Sequence, residues 1–121
     1  MKPTRSKRQQ SEKHGKHAEA WAALYLLLKG YRTLERRFRS KRGEVDLICK
    51  RGSTIVFVEV KARKTVDDAV HAVAYKQRKR IEAASADWLK IAGVKAKSHR
   101  FDMIAVVPWR LPTHIKDAWR P

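Results

Sequence analysis

One cysteine, Cys49, is all this chain of 121 residues contains. It cannot close an internal disulfide, and no zinc site can be built around cysteines. Its apolar neighbours suggest that it packs as a small hydrophobe. Long apolar runs are also missing. The longest aliphatic run, residues 22–28, falls well short of the roughly 18 residues of a membrane span. The first residues are basic and polar with no apolar core, so no secretory signal is expected. A cytoplasmic protein with no membrane partner is the plain expectation. There is no glycine-rich phosphate loop, since Gly43 and Gly52 stand alone as turn glycines. No serine or cysteine has the setting of a nucleophile. The histidines are scattered. His14 and His17 lie near Glu19 but lack a third ligand, and His71, His99 and His114 read as surface or satisfied core residues.

Acids are scarce. Twelve face 29 lysines and arginines, a formal net charge of +17. A field of that sign on a small body favours a polyanion, and nucleic acid is the commonest one. With 43% hydrophobic residues the chain can build one real core. No internal repeat or second domain is evident. The division expected is a flexible basic arm over residues 1–13 and a single domain over 14–121.

Apolar residues at steps of three and four predict a first helix over residues 17–29. Ala18, Trp21, Ala22, Tyr25 and Leu26 form its stripe, and Gly30 is its stop. Glu19 sits in the first turn, where an acid complements the helix dipole. Residues 31–38 read as a strand. Arg36, Arg37, Arg39, Lys41 and Arg42 then lead to Gly43, either as a solvated loop or as a phosphate-contacting run. A second helix is expected from Asp67 or Asp68 to about Ile91, ended near Gly93. Ala69, Val73, Lys76 or Gln77, Arg80, Ala84, Trp88 and Ile91 trace one face of it. Lys76, Arg78 and Lys79 lie in a basic cluster along it. Residues 100–107 form an apolar interior strand, and residues 113–119 a last strand at the sheet edge.

Between these lies a hairpin, Gly43-Glu44-Val45-Asp46-Leu47-Ile48, a turn, then Val56-Phe57-Val58-Glu59-Val60-Lys61. Alternation puts Glu44, Asp46 and Ile48 on one face and Val45, Leu47 and Cys49 on the other. Ile55, Phe57, Glu59 and Lys61 share a face of the second strand. A four-residue loop, residues 51–54, pairs Lys50 with Ile55 and sets Asp46 across from Glu59.

Two carboxylates and a lysine together suit phosphodiester cleavage. A magnesium-type ion takes hard oxygen ligands, neutralises developing charge and lowers the pKa of bound water. Asp46 and Glu59 would hold Mg2+ or Mn2+, with the Val60 carbonyl as a third ligand. Lys61 would orient the attacking water or stabilise the transition state. The plainer reading is a cross-strand salt bridge on a solvated face. Against it, charged side chains within an apolar strand are costly. Local physics leaves both readings open.

Several ordered stretches carry a resemblance. They are Ala18-Glu19, Leu28-Lys29-Gly30-Tyr31, the two hairpin strands with Ala62-Arg63, Lys76 with Arg80-Ile81 and Ala84, Arg100-Phe101-Asp102, and His114-Ile115-Lys116-Asp117-Ala118-Trp119. Over residues 15–119 the chain resembles the bacterial YraN family. That family is similar to archaeal Holliday junction resolvases and the PD-(D/E)XK nuclease superfamily. The resemblance implies an α/β, restriction-endonuclease-like fold: a central mixed sheet flanked by helices, in the order α-β-β-β-α-β-β. It assigns catalytic positions to Asp46, Glu59 and Lys61 and makes Glu19 the helix acid that completes the site. Lys76 becomes a helix lysine near the cleft.

The leading expectation is therefore a magnesium-dependent endodeoxyribonuclease acting on branched or flapped DNA, with a homodimer fitting two-strand cutting. The alternative is a non-catalytic nucleic-acid-binding protein with a nuclease-like fold. A basic adaptor for an acidic protein, using the four tryptophans, ranks last.

Overall fold

The computed structural model describes the backbone of residues 5–121, with side chains from Gly15 onward. Five strands form one sheet in sequential order, β1 (Arg32–Ser40), β2 (Gly43–Arg51), β3 (Thr54–Ala62), β4 (Ser98–Val106) and β5 (Thr113–Trp119). Neighbours are antiparallel except β3 and β4, so the sheet is mixed. The parallel pair needs a crossover. Helices α2 (Val66–His71) and α3 (Tyr75–Ala92) supply it.

Helix α1 (Arg5–Leu28) precedes the sheet. It starts earlier than the apolar periodicity predicts. The first four residues of the expected basic arm lie outside the described residues, and the backbone of the remainder belongs to α1. Ala18, Ala22 and Leu26, spaced four apart, are the buried stripe of α1. They pack on Leu47, Cys49, Val56 and Val58. On the other face Ile81, Ala84 and Trp88 of α3 cover Ile48, Ile55, Phe57 and Met103. Strand β3 is thus buried on both sides, which explains its unbroken apolar run from Ile55 to Val58. Each such side chain contributes about 1.5–3 kcal/mol by leaving water.

Three expectations need correction. The second helix is broken, with a bend at residues 72–74 separating α2 from α3. No glycine or proline marks the break. It lets Ala69 and Val73 reach the same core as Ile81 and Trp88, while Arg80 and Ile91 turn out to solvent. The basic run before Gly43 is mostly strand β1 rather than loop. The hairpin loop is also shorter than expected. Lys50 does pair with Ile55, but Arg51 pairs with Thr54 as well, leaving a two-residue turn at Gly52 and Ser53. Gly52 takes φ +60 there, a conformation a two-residue hairpin turn commonly demands.

The pairing of β2 with β3 stops at Leu47 and Val58. Beyond it β3 stays paired with β4 through Ala62, while Gly43, Glu44 and Val45 pair only with β1. The two central strands therefore fork, and the fork opens at Asp46. Gly43 lies so close to α3 that a Cβ there would stand 2.2 Å from the Arg80 carbonyl oxygen. Glycine is needed at this point for close approach, a role beyond that of a turn residue.

Candidate active site

Two sheet distortions meet at Asp46. Its would-be β1 partner, between the pairs Arg36–Leu47 and Phe38–Val45, is Arg37. Arg37 has φ 53, a left-handed backbone that costs a non-glycine residue about 1 kcal/mol. On the β3 side Asp46 takes over a ladder bond. Its Oδ2 accepts the Val60 N–H at 2.8 Å. The same kink corrects the expected alternation. Val45 packs with Ile48 in the α3-side core, not with Leu47 and Cys49.

Glu59 and Lys61 follow on β3. Glu59 is 3% exposed and Asp46 9%. Lys61 Nζ lies 3.2 Å from Glu59 Oε1. From α3, Gln77 Nε2 donates to the same oxygen at 3.0 Å. From α1, Glu19 is buried and accepts from Arg37 Nε at 2.7 Å. Its charge is near enough to act on Asp46. Four elements and the kinked β1 thus converge on one patch. Three acids, two cations and one amide make it up.

The electrostatics follow from burial. Desolvation first, and the Asp46 charge second, push the Glu59 carboxyl far above the usual carboxylate range, against the pull of Lys61. Asp46 is also raised, chiefly by desolvation, and is opposed by its bonds to Val60 and Glu59. Both carboxyls are raised, so without a cation the pair favours holding one proton between them.

The oxygen set fits a magnesium-type ion. A strand residue directs its N–H and C=O to the same side. Because Val60 donates its N–H toward Asp46, its carbonyl faces the same opened fork. Asp46, Glu59 and the Val60 carbonyl are hard oxygen donors, and such an ion fills its remaining positions with water. Among the described residues no three His, Cys, Asp or Glu side chains are grouped to hold a metal. Glu19 is held by Arg37, with its charge acting on Asp46.

Not every expected site residue lies at this patch. Gln77, not Lys76, reaches Glu59, and Lys76 is exposed. The signal for Gln77 was available, since it lies four residues before buried Ile81 on the helical stripe. Of the basic residues expected to contact nucleic acid, several have protein partners. Arg37 holds Glu19, Arg39 lies 3.1 Å from Glu44, and Arg42 grips Asp87 at 2.6 Å and the Ala83 carbonyl. Arg78 donates to the Val73 carbonyl, and Lys79 lies 3.1 Å from Glu82. Arg36 and Lys41 are exposed and, among the described residues, pair with no acid. His14 lies outside the described side chains.

A second buried polar cluster shares no hydrogen bond with the first. Asp102 is fully buried and takes a bidentate Arg100 at 2.7 Å, the Asp117 N–H and His114 Nε2 at 2.6 Å. Lys29 Nζ donates to His114 Nδ1 at 2.8 Å, so Nε2 carries the proton given to Asp102. Burial alone would raise Asp102. The bonds from His114 and Arg100 and from the Asp117 amide outweigh it and lower the pKa to about 2. This cluster ties β5 to the end of α1. His114 is a satisfied core residue, as its isolation in the sequence suggests.

The fold is a mixed α/β sheet flanked by helices, with a buried acidic patch at a strand fork. Residues 18–106 match the uncharacterised protein family UPF0102, and the chain belongs to this family, also called YraN. A UPF0102 protein of Mesorhizobium japonicum is 48% identical over 113 residues, covering 93% of this chain and 90% of its own. One from Agrobacterium fabrum is 48% identical over 115 residues and covers 94% of each chain. Another, from Bartonella bacilliformis, is 49% identical over 110 residues, 90% of each. None of the described helices is long and apolar enough to cross a membrane.

Proposed function

We propose that the protein is a divalent-metal-dependent endonuclease that hydrolyses phosphodiester bonds in cytoplasmic DNA, branched or flapped. The observation that carries this reading is the fork. Asp46, Glu59, the Val60 carbonyl and Lys61 meet where β2 leaves β3, although burying such charges costs several kcal/mol without use. The resemblance of the motif residues to nucleases of the PD-(D/E)XK type and the +17 charge support it.

Asp46 and Glu59 would hold Mg2+ or Mn2+ with the Val60 carbonyl. Bound there, the ion supplies charge neutralisation and a more acidic water. Lys61, 3.2 Å from Glu59, orients the water and meets negative charge on the phosphoryl oxygens. Arg37 keeps Glu19 in position beside Asp46. Gln77 fixes the rotamer of Glu59. Arg36, Lys41 and Lys76, all exposed, contact phosphates. A homodimer would present two such sites to the two strands of one duplex.

A second reading is a nucleic-acid-binding protein without catalysis. It draws on one observation: Glu19, Asp46 and Glu59 each already have a protein partner. The test is incubation with linear, flapped and four-way DNA in magnesium or manganese. The nuclease reading expects cleavage that Asp46→Ala abolishes. Equal traces of cleavage by both proteins on every substrate would leave the binding reading.

A further inference from the structure

An open groove of about 1000 Å³ runs between α1, the ends of β3 and β4, and the loop after β4. Ala18 of α1 and Ala62 and Arg63 after β3 line one end of it, on the face of β3 opposite Glu59 and Lys61. Its floor is apolar, from Val106, Val107 and Leu111. Trp21 and Trp109 lie along it, and Trp109 is 100% exposed. Arg63, Lys64 and Arg110 give it positive charge, and no acid among the described residues lines it.

A fully exposed tryptophan at φ 64 is a costly feature for a surface loop. An apolar floor with two indoles and a cationic rim matches one ligand chemistry well. An unpaired nucleotide offers a flat base to stack and a phosphate to pair. Paired bases offer neither face, being stacked on each other. We infer that this groove receives unpaired nucleotides of a DNA strand. Trp109 and Trp21 stack the bases, and Arg63, Lys64 and Arg110 hold the backbone. The inference rests on the nuclease reading for its biological sense and deepens it.

The test needs no cleavage. Fluorescence anisotropy in EDTA measures the full chain binding a 12-nucleotide oligo(dT), and an abasic strand of the same length. Stacking of a single base makes oligo(dT) bind tighter than the abasic strand by on the order of tenfold. Trp109→Ala should remove most of that difference, and Trp109→Phe should keep most of it. Because Trp109 is fully exposed, the alanine variant should fold, which circular dichroism checks. Equal binding of the two strands by wild type, or no change in Trp109→Ala, would overturn the inference and leave charge alone. Self-association that Trp109→Ala abolishes would also overturn it, assigning the groove to a second copy. A protein that prefers oligo(dT) through Trp109 yet cuts nothing would sink the nuclease reading while the groove assignment stands.

Discussion

Arg37 Nε donates to Glu19 Oε2 at 2.7 Å, from a left-handed residue on β1 to a buried acid on α1. Arg37 also lies close enough to feel the charge of Asp46. An arginine that reads in sequence as one of a phosphate-contacting run is thus the partner of a buried acid. Arg37→Ala leaves Glu19 buried and unpaired. The expected loss is about 1–3 kcal/mol, measured as a lower urea midpoint with unchanged slope. An unaltered midpoint would make the pair ornamental.

Glu59→Gln should stabilise the metal-free protein. The folded carboxyl has its pKa raised above its ordinary value of 4.5, so the folded state binds more protons than the unfolded state as pH rises. Stability is therefore lost with rising pH above that ordinary value, until the folded group also ionises. The amide removes this penalty, and the advantage of the variant should grow between pH 5 and 8. A gain of about 4 °C or more in Tm is expected in EDTA at pH 8. Magnesium or manganese should raise the Tm of the wild type and leave that of the variant unchanged.

Asp102 gives the opposite pH dependence. Its folded pKa of about 2 lies below its ordinary 3.8. Its contribution is complete above that ordinary value and is lost as pH falls through 2, amounting to about 2 kcal/mol. Asp102→Asn should cost about 2 kcal/mol at pH 7, since the half-buried Arg100 loses its counter-charge and the hydrogen bonds from His114 and the Asp117 amide lose their charged acceptor. Urea midpoints of both proteins between pH 2 and 7 should converge toward acid. Parallel curves would show that Asp102 carries no such linkage.

Gly43→Ala forces a methyl against the Arg80 carbonyl, a backbone atom that cannot rotate away. Strand β2 or helix α3 must shift, at a cost of about 3 kcal/mol. Chemical denaturation measures it. The shift would also move Gln77 on α3, so divalent binding by calorimetry should weaken in the same variant.

Salt dependence separates phosphate contacts from internal partners. If Lys41 and Lys76 each meet a phosphate, alanine at either lowers the slope of log affinity against log salt by about one. Neither is expected to alter thermal stability, since both side chains are exposed.

Much of this protein is local physics and was legible in the chain. Alternation from Leu47 to Ile55 and the polar turn at Gly52 specify the hairpin register, because a one-residue slip would turn every apolar side chain to the wrong face. The stripe of Ala18, Ala22 and Leu26 specifies the buried side of α1, because side chains four apart share a helical face. Asp46, Glu59 and Lys61 were legible as charges in or facing an apolar strand, with a metal site and a salt bridge both open. What the chain did not reveal depends on where separate elements meet. The fork at Asp46 arises because β3 stays paired with β4 while β2 leaves with β1. The kink at Arg37 then turns Val45 to the other face. Lys76 and Gln77 are neighbours in sequence, yet only the docking angle of α3 decides which one reaches Glu59. The break at residues 72–74 has no glycine or proline to announce it; burial of Ala69 before the bend and of Val73 within it accompanies the break. Glu19 needed both kinds of information. Its helical position follows from periodicity, but its place beside Asp46, and its capture by Arg37, belong to the packing of α1 across the sheet.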